Sequence, residues 1–229
     1  MLVGNNTRRV AIVGGARIPF VRSMGAYAEC SNQQMLTAAL QAVADKYRLA
    51  GERLGDVGAG AVLKGPRDFN LTREAVLGTP LDAHPPAFDL QRACGTSLET
   101  AILLGLKIAA GQIDSAIAAG VDTASDAPIG INENLRRILL RSARGRSLGQ
   151  RLAPGAALRP GHCKPSVPSV PGPRTGLNMG QSCELMARRW GIRREAQDEL
   201  ALASHQRAAA AYDAGFFDEM QQVFELGFG

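Results

Sequence analysis

The chain has 229 residues, of which 45% are hydrophobic and 21% are charged, and its formal net charge is +5. This composition is typical of one large or two small globular domains, and it excludes a chain that is fibrous or disordered throughout. Aromatic residues make up only 5%, and no run of Lys and Arg is interleaved with them. The positive charge therefore favours a phosphate-bearing small molecule over a nucleic acid as a partner.

The first two-thirds of the sequence alternates short apolar runs with helical patterns, which is typical of a layered α/β fold. A helix is predicted over 31–48, because apolar residues from Leu36 to Tyr47 recur at spacings of three and four and Ser31 or Asn32 can cap its start. Right-handed crossovers between such elements would make most of the sheet parallel. The other predicted elements are strands at 9–14, 57–63, 86–92 and 115–121 and helices at 70–78 and 95–110.

Pro, Gly and Arg dominate residues 126–178, where the helical periodicity fades. We interpret this stretch as an excursion away from the sheet, because long irregular segments in compact domains are usually functional or disordered. Helical patterning returns at 181–190 and 193–214, and the ending FELGFG fits neither a strand completing a sheet nor a capped helix. The sequence thus predicts an α/β core at 1–125 and, at 126–229, a loop domain with returning helices.

The segment 88–101, FDLQRACGTSLETA, runs from an apolar strand straight into Cys94 and then into a helix. A thiol at the amino-terminus of a helix meets exposed backbone N–H groups and the positive end of the helix dipole, which favour the nucleophilic thiolate. Gly95 would let a substrate approach closely. The same pattern fits a buried cysteine that packs as a small hydrophobe, and both interpretations remain open at this point.

The other cysteines, Cys30, Cys163 and Cys183, are interpreted as packing or loop residues. The four thiols are widely spaced without a CxxC pair, so the sequence predicts no zinc site and reduced thiols in the cytoplasm. It also predicts no signal peptide and no membrane span. Gly14 and Gly15 follow the first predicted strand, but the GxGxxG spacing of a dinucleotide site is absent.

Five separated segments follow one another in the order in which a known family carries them: ARIPF (16–20), CGTSLETA (94–101), GVDTASDAP (120–128), TGLNMGQSCELMA (175–187) and ALASHQRAAAAYDAGFFDE (201–219). From about residue 9 to 224 the chain resembles the thiolases, notably the acetyl-CoA acetyltransferase and fatty-acid β-oxidation branch. The resemblance implies the amino-terminal half of the thiolase repeat, with the carboxy-terminal half absent. Its expected fold is a mostly parallel five-stranded sheet with helices on both faces, plus a loop domain.

The resemblance also implies a role for Cys94. The family's motif cysteine attacks the thioester of a 3-ketoacyl-CoA or acetyl-CoA, and a second CoA or a CoA-derived carbanion resolves the acyl-enzyme. Carried over to this chain, Cys94 is the nucleophile and its backbone N–H contributes to an oxyanion hole.

Further positions of the family's substrate site fall in the second half of the chain. Asn178 and Met179 match positions that line the acyl and pantetheine pocket, although many family members have histidine in place of Asn178. The stretch 126–178 resembles the loop domain that covers CoA. Its arginines would suit the acidic nucleotide end of CoA, and a solvated basic face is the alternative; they include Arg136, Arg137, Arg141 and Arg144.

Three thiolase motifs of the carboxy-terminal half do not occur in these 229 residues: Asn-Glu-Ala-Phe, Gly-His-Pro and Cys-x-Gly. His162, between Gly161 and Cys163, lies before the place where the family motif belongs, so it is not taken as a replacement. His84 and His205 are expected on the surface. A nucleophile without the activating histidine and the second thiol should turn over far more slowly than a complete enzyme.

The predicted function is acyl transfer between CoA thioesters through a cysteinyl acyl-enzyme, in cytoplasmic fatty-acid metabolism. No cofactor or metal is expected, and acyl-CoA or CoA is the expected small-molecule partner. Homo-oligomers, or association with a thiolase-like protein, are also expected. The alternative of another class is a truncated, non-catalytic relative that binds a partner through its exposed apolar surface. A third reading is a fragment of a longer gene.

Overall fold

The structure is a computed structural model that describes residues 7–218. Helices and strands alternate along its first half, and helices follow in the second. The helices are α1 Asn32–Tyr47, α2 Leu71–Leu77, α3 Thr96–Ala109, α4 Glu133–Ala143, α5 Leu148–Leu152, α6 Met179–Arg189 and α7 Arg194–Asp213. The strands are β1 Asp56–Ala59, β2 Ala87–Asp89 and β3 Ala116–Ala118, and short 3₁₀ turns lie at Pro66–Asp68, Ala153–Ala157 and Pro160–Cys163.

The sheet has the strand order β2-β1-β3, and both pairings are parallel. Val57 of β1 lies opposite Ala87 on one side and Ile117 on the other. The parallel sheet was predicted, but the prediction of five strands was wrong for residues 7–218, which form three. The three observed strands are also shorter than the apolar runs from which they were predicted.

The predicted strand at 9–14 accounts for part of this difference. This segment is not a strand, and its Ile12 and Val13 side chains are exposed. The Arg8 N–H, next to it, donates to the Ala109 carbonyl at 3.0 Å. A cleft of about 830 Å³ is lined by this segment and by residues 115–125. A short apolar run becomes a strand only where a neighbouring strand pairs with it, and β3 does not pair with this one. The ending FELGFG lies outside the described residues.

Helices cover both faces of the sheet, as predicted. Val57 and Ala59 point to one face, where they join a buried cluster with residues of α1 and α2 such as Leu36 and Val76. Because successive side chains of a strand alternate between faces, a side chain at Gly58 would point to the other face. There the Thr100 side chain of α3 lies so close that a Cβ added to Gly58 would be 2.6 Å from it. The start of α3 is therefore fixed directly against the sheet.

The first helix shows why the sequence-based boundaries were nearly correct. The Ser31 hydroxyl accepts the N–H of Gln34 at 3.2 Å, and the Gln34 side chain accepts the N–H of Ser31 at 2.9 Å. Arg48 ends the helix in the left-handed conformation, with φ of 55°. Such reciprocal capping satisfies backbone groups that the helix leaves unpaired.

The described chain divides into two compact units. One comprises the residues up to Asp126 together with those from Ala187 onward, and the other comprises Ala127–Met186. The second unit contains α4 and α5, although the sequence predicted only irregular structure there. Asn132 caps α4 by accepting the N–H of Asn134 at 2.9 Å, so a local capping signal outweighs the high Pro and Gly content around it.

None of the helices within residues 7–218 is long and apolar enough to cross a membrane.

Candidate active site

Cys94 lies in the turn that joins β2 to α3. The helix begins at Thr96, with Gly95 at its cap position. The Cys94 side chain is exposed and forms no disulfide. The interpretation of Cys94 as a buried packing residue is therefore wrong, and its thiol can meet a ligand next to the amino-terminus of a 14-residue helix.

Thr96 holds the turn around Cys94 through its buried side chain. Its hydroxyl accepts the N–H of Arg92 at 2.9 Å and donates to the carbonyl of Ala93 at 2.7 Å. The backbone N–H of Gly95 donates to the Arg92 carbonyl at 3.0 Å, and that of Thr96 to the Ala93 carbonyl at 3.2 Å. The thiol is therefore carried by a closed, hydrogen-bonded turn rather than by a loose loop.

Ala93, the residue immediately before the thiol, has a left-handed backbone with φ of 44°. This conformation costs a residue with a Cβ roughly 1–2 kcal/mol. Such strain persists only where the surroundings hold it, and it is concentrated at functional sites. Here the Thr96 hydroxyl donates to the Ala93 carbonyl, and an Arg92–Glu99 ion pair of 2.7 Å joins the residue before Ala93 to the first turn of α3.

Two glycines let the start of α3 approach the ends of β1 and β3. A Cβ on Gly60 would lie 3.0 Å from the Thr96 Cγ2 of α3 and only 1.8 Å from the Leu90 carbonyl oxygen after β2, and one on Gly120 would lie 2.8 Å from the Ser97 Cβ of α3. Neither position has room for a larger residue. At Gly95 the nearest atom to an added Cβ is the Arg92 carbonyl oxygen at 3.5 Å, so packing does not require glycine there.

Carboxylates at the same edge of the sheet fix the loops beside the thiol. Asp122 accepts the N–H groups of Val62 at 2.8 Å and Leu63 at 3.1 Å. Asp89 accepts the N–H and the hydroxyl of Thr72 at 3.0 and 2.7 Å. Parallel strands release their following loops at one edge, which is where open α/β sheets bind ligands. Through these hydrogen bonds, the two carboxylates fix the loop after β1 and the start of α2 at this edge of the sheet.

The three histidines of the sequence form no hydrogen bond with the Cys94 turn among the described residues. His84 is exposed, with its Nδ1 2.7 Å from the Asp82 carboxylate. The backbone N–H and side chain of His84 hold the pKa of Asp82 below its usual value. His162 belongs to a 3₁₀ turn of the second unit, and His205 lies exposed on α7.

The remaining cysteines lie in different surroundings. Burial, and secondarily the charge of Glu29, raise the pKa of the Cys30 thiol and so disfavour its thiolate. Cys163 and Cys183 are exposed, but Cys183 lies inside α6 and Cys163 ends a 3₁₀ turn. Among the four thiols, only Cys94 combines exposure with a position at the start of an α-helix.

Asn178 and Met179, predicted to line the substrate pocket, lie at the start of α6. The Asn178 side-chain oxygen accepts the N–H of Gln181 at 2.9 Å, and the Gln181 side chain accepts the N–H of Asn178 at 2.9 Å. The Met179 side chain is exposed. Asn178 therefore caps the helix with its oxygen, while its side-chain NH₂ group donates to no residue within 7–218.

The arginines predicted to meet CoA divide into two pairs, of which Arg136 and Arg137 lie on α4 and the other two at its C-terminal end. Arg136 and Arg137 donate to Glu133 over distances between 2.7 and 2.9 Å. These bonds hold the pKa of Glu133 at about 2. Within residues 7–218, no carboxylate pairs with Arg141 or Arg144, so these two side chains remain available for an anion.

Several residues shape the site in ways that were not predicted from the sequence. Thr96 was not predicted to hold the turn, yet its hydroxyl closes it. Gly60 and Gly120 were not singled out, although a glycine directly after an apolar strand is a usable sign of close approach. The left-handed Ala93 has no such sign, because alanine rarely adopts this conformation.

Comparisons with known proteins agree with this arrangement. A family model described as Thiolase, N-terminal domain, matches residues 10–224. A 3-ketoacyl-CoA thiolase of Yersinia pestis (strain Pestoides F) is 36% identical over 224 residues, which are 97% of this chain and 51% of that protein. A 3-ketoacyl-CoA thiolase of Yersinia pseudotuberculosis (serotype O:1b, strain IP 31758) has the same identity and coverage.

A solved structure shares the fold. The acetyl-CoA acetyltransferase of Bacillus anthracis superposes with a TM-score of 0.75 and 20% identity, covering 98% of this chain and 53% of that one. The chain thus spans about half the length of the curated relatives that it matches. Because the family model covers nearly all of these residues, the chain belongs to the thiolase family and corresponds to its N-terminal half.

Proposed function

We propose that this chain carries the nucleophile of a thiolase-type acyl-CoA acyltransferase, with Cys94 as the acyl-accepting residue. The observation that carries the proposal is the exposed thiol in a strained, hydrogen-bonded turn at the start of α3. The relatives named 3-ketoacyl-CoA thiolase support this choice of substrate class. From the family resemblance, we also propose a role in fatty-acid metabolism of the β-oxidation type, with the cytoplasm as the compartment.

The proposed chemistry needs a thiolate and a thioester. With acetyl-CoA, the Cys94 sulfur attacks the thioester carbonyl, a carbon–sulfur bond forms and the bond to the sulfur of CoA breaks; the departing CoA takes up a proton, and a CoA-derived carbanion then accepts the acyl group. With a 3-ketoacyl-CoA, the Cys94 sulfur attacks the 3-keto carbonyl and the C2–C3 bond breaks; the departing acetyl-CoA carbanion takes up a proton, and the thiol of a second CoA then accepts the acyl group from Cys94 and gives up its proton. The backbone N–H of Cys94 is proposed to stabilise the negative oxygen of the intermediate.

We propose that residues of the second unit also contact acyl-CoA, as the thiolase resemblance implies. Asn178, whose side-chain NH₂ group donates to no residue in the described part of the chain, and Met179 would line the acyl and pantetheine pocket. Arg141 and Arg144, which have no carboxylate partner in the described part of the chain, suit the phosphates at the nucleotide end of CoA.

Mass spectrometry can test the proposed nucleophile. The 229-residue chain is incubated with acetyl-CoA, digested and mapped. We expect slow acetylation of the Cys94 peptide, which Cys94→Ala removes and the control Cys183→Ala does not. Acetylation of Cys163 or Cys183 at an equal rate would refute the assignment.

Catalytic turnover of a CoA thioester by these 229 residues is tested separately from the acylation of Cys94. The activating histidine and second cysteine motifs of the family are not in this sequence, so we expect negligible thiolysis of acetoacetyl-CoA by these 229 residues alone. Robust turnover that Cys94→Ala abolishes would contradict this. His162→Ala would then show whether His162 takes part.

A second candidate function is that of a non-catalytic interaction protein. The observation that favours it is an exposed apolar stripe on α3, formed by Leu98, Ile102 and Leu106. Four-residue spacing places these side chains on one side of the helix. Under this alternative, the chain binds a thiolase-like partner or a second copy through the stripe, and Cys94 is not acylated.

A further inference from the structure

The edge cleft, with a volume of about 830 Å³, lies at β3, the last strand of the sheet. It is lined mainly by the segment 10–23, by one side each of α1 and α3, and by residues 115–125. All of these residues belong to the first compact unit. The volume lies within the range of about 300–1,000 Å³ that is typical of small-molecule pockets.

The helices border the edge cleft with small and apolar side chains at a spacing of four residues, which places each row on one side of its helix. The row on α1 consists of Met35, Ala39, Val43 and Tyr47, and the row on α3 consists of Ser97, Ala101 and Gly105, followed by Ile108. From Ser97 to Ile108 the helix rises roughly 16 Å. Because each carbon–carbon bond of about 1.5 Å advances an extended chain by slightly less, this length suits a hydrocarbon chain of about twelve carbons.

Gly105 widens the edge cleft in the middle of α3. A Cβ added at Gly105 would meet Val10 Cγ1 at 3.8 Å, which is an ordinary contact, so packing does not require a glycine there. Glycine inside a helix is less stable than alanine. The missing side chain therefore enlarges the cleft at a cost to the helix.

Two arginines line the edge cleft without a carboxylate partner among residues 7–218, namely Arg17 and Arg22. The Arg17 guanidinium lies 4.0 Å from the centre of the Phe20 ring. Such stacking uses the face of the guanidinium and leaves the N–H groups at its edge able to donate. Among the lining residues that the structure describes, Asp122 is the one acid, and it already accepts two backbone N–H groups of the loop after β1. The charges of the cleft therefore favour an anion.

From these observations, we propose that the edge cleft binds one long-chain fatty acid. The hydrocarbon chain lies along α3, against aliphatic side chains such as Val43 and Ile108, and the carboxylate accepts hydrogen bonds from Arg17 and Arg22. Burial of the chain supplies affinity that grows with its length, and a guanidinium binds a carboxylate through two parallel N–H···O bonds. This non-covalent binding goes beyond the acyl transfer proposed for Cys94 and does not depend on it.

Other occupants fit the edge cleft less well. An extended peptide binds by pairing its backbone with a sheet edge, and β3 offers only the three residues Ala116–Ala118. The phosphates of a nucleotide would bring several negative charges against apolar walls. The acyl chain of a CoA thioester has the same hydrocarbon but no carboxylate for the arginines, and the experiment separates these two sources.

Calorimetric titration of the Cys94→Ala chain tests the proposal, because this variant cannot be acylated at that position. Dodecanoate, kept below the concentration at which it forms micelles, should bind with one molecule per chain. Octanoate is four CH₂ groups shorter and should bind at least about tenfold more weakly. Dodecanol lacks the carboxylate and should also bind about tenfold more weakly. The parent chain should bind dodecanoate as the Cys94→Ala chain does.

A pair of substitutions at Gly105 tests the location. Gly105→Leu fills the edge cleft and should weaken dodecanoate binding at least about tenfold. Gly105→Ala adds only a Cβ in ordinary contact and should bind like the parent chain. Both substitutions replace a helix glycine with a better helix former, so neither is expected to unfold α3. Thermal unfolding of the two variants verifies this.

A charge series tests the site of the carboxylate. Arg17→Gln with Arg22→Gln should weaken dodecanoate binding about tenfold and leave dodecanol binding unchanged. Lysine at both positions keeps the charge and should retain most of the affinity. The matched control, Arg193→Gln with Arg207→Gln, changes two arginines outside the edge cleft and should bind like the parent chain.

Several outcomes would overturn the proposal. Equal affinity for octanoate and dodecanoate would remove the hydrocarbon chain from the site, and equal effects of the two Gly105 variants would remove the edge cleft. Loss of binding in Ile102→Ser with Leu106→Ser would place the ligand on the exposed side of α3. Binding of dodecanoyl-CoA without binding of dodecanoate would assign the cleft to the acyl chain of a thioester. Acylation of Cys94 is measured separately by mass spectrometry, so failure of the acyl-transfer proposal is recognised on its own.

Discussion

At the scale of single residues, the reactivity of Cys94 depends on how its turn is built. The strained Ala93 and the Thr96 hydroxyl place the thiol in solvent at the start of α3. The sequence singled out the cysteine because a strand runs directly into a helix there. It did not identify the hydroxyl that closes the turn, because a hydrogen bond between Thr96 and residues three and four positions earlier depends on the folded geometry.

We predict that Cys94 is the first thiol to react with iodoacetamide at mildly acidic pH. The Cys94 sulfur is exposed next to the start of α3 and so accessible to the reagent, while burial raises the pKa of the Cys30 thiol. Peptide mapping after brief labelling measures the order. If Cys163 or Cys183 is modified first, the assignment of Cys94 as the activated thiol is wrong.

A second prediction concerns Thr96. Thr96→Val keeps the shape of the side chain but leaves the Arg92 N–H without its partner and removes one of the two hydrogen bonds to the Ala93 carbonyl, so it should lower the free energy of unfolding by about 1–3 kcal/mol. Thr96→Ser keeps the hydroxyl and should lose less. Urea unfolding measures both, and the Cys94 labelling rate should fall only in the valine variant. Equal behaviour of the two variants would show that the hydroxyl does not hold the turn.

At the scale of elements, α3 is joined to the sheet by contacts that short-range patterns do not contain. The Lys107 ammonium on α3 donates to the buried carboxylate of Asp56 on β1 and lies 5.0 Å from the centre of the Phe88 ring on β2. One lysine thus connects a helix to two strands. Helix boundaries were predicted well because caps and periodicity are local, whereas this contact joins residues that are 51 positions apart.

We predict that Lys107→Met destabilises the fold by about 1–3 kcal/mol, because it leaves the Asp56 carboxylate buried without its cation. The figure is below that for a fully buried pair, since about a third of the Lys107 side chain is exposed. Lys107→Arg keeps the charge and should cost less. Adding Asp56→Asn to Lys107→Met should recover part of the loss in chemical unfolding. A double variant that is less stable than Lys107→Met would contradict the ion-pair explanation.

At the scale of the whole molecule, the surface of α3 is incompletely covered. Leu98, Ile102 and Leu106 have 66%, 50% and 60% of their surface exposed. Fully burying such a side chain is worth roughly 1.5–3 kcal/mol, which is large beside a net stability of about 5–15 kcal/mol. We therefore expect the chain to associate rather than to remain an isolated monomer.

We predict that the 229-residue chain self-associates or binds a dye for exposed apolar surface. Ile102→Glu with Leu106→Glu should reduce both effects, whereas the control Leu200→Glu with Leu202→Glu on α7 should reduce them less. Sedimentation at several concentrations provides the measurement. A stable monomer that does not bind the dye would refute the prediction.

The sequence alone determined the family, the α/β class, most helix boundaries and the candidate nucleophile. These features depend on motifs, caps and periodicity, which are local in the chain. The order of the three strands, the exposure of Cys94 and the close approach of Gly60 and Gly120 to α3 appeared only in the tertiary structure. The apolar run at 9–14 shows the reason most clearly. Its pattern predicted a strand, but whether a strand pairs depends on which backbone lies beside it, and only the folded chain determines that.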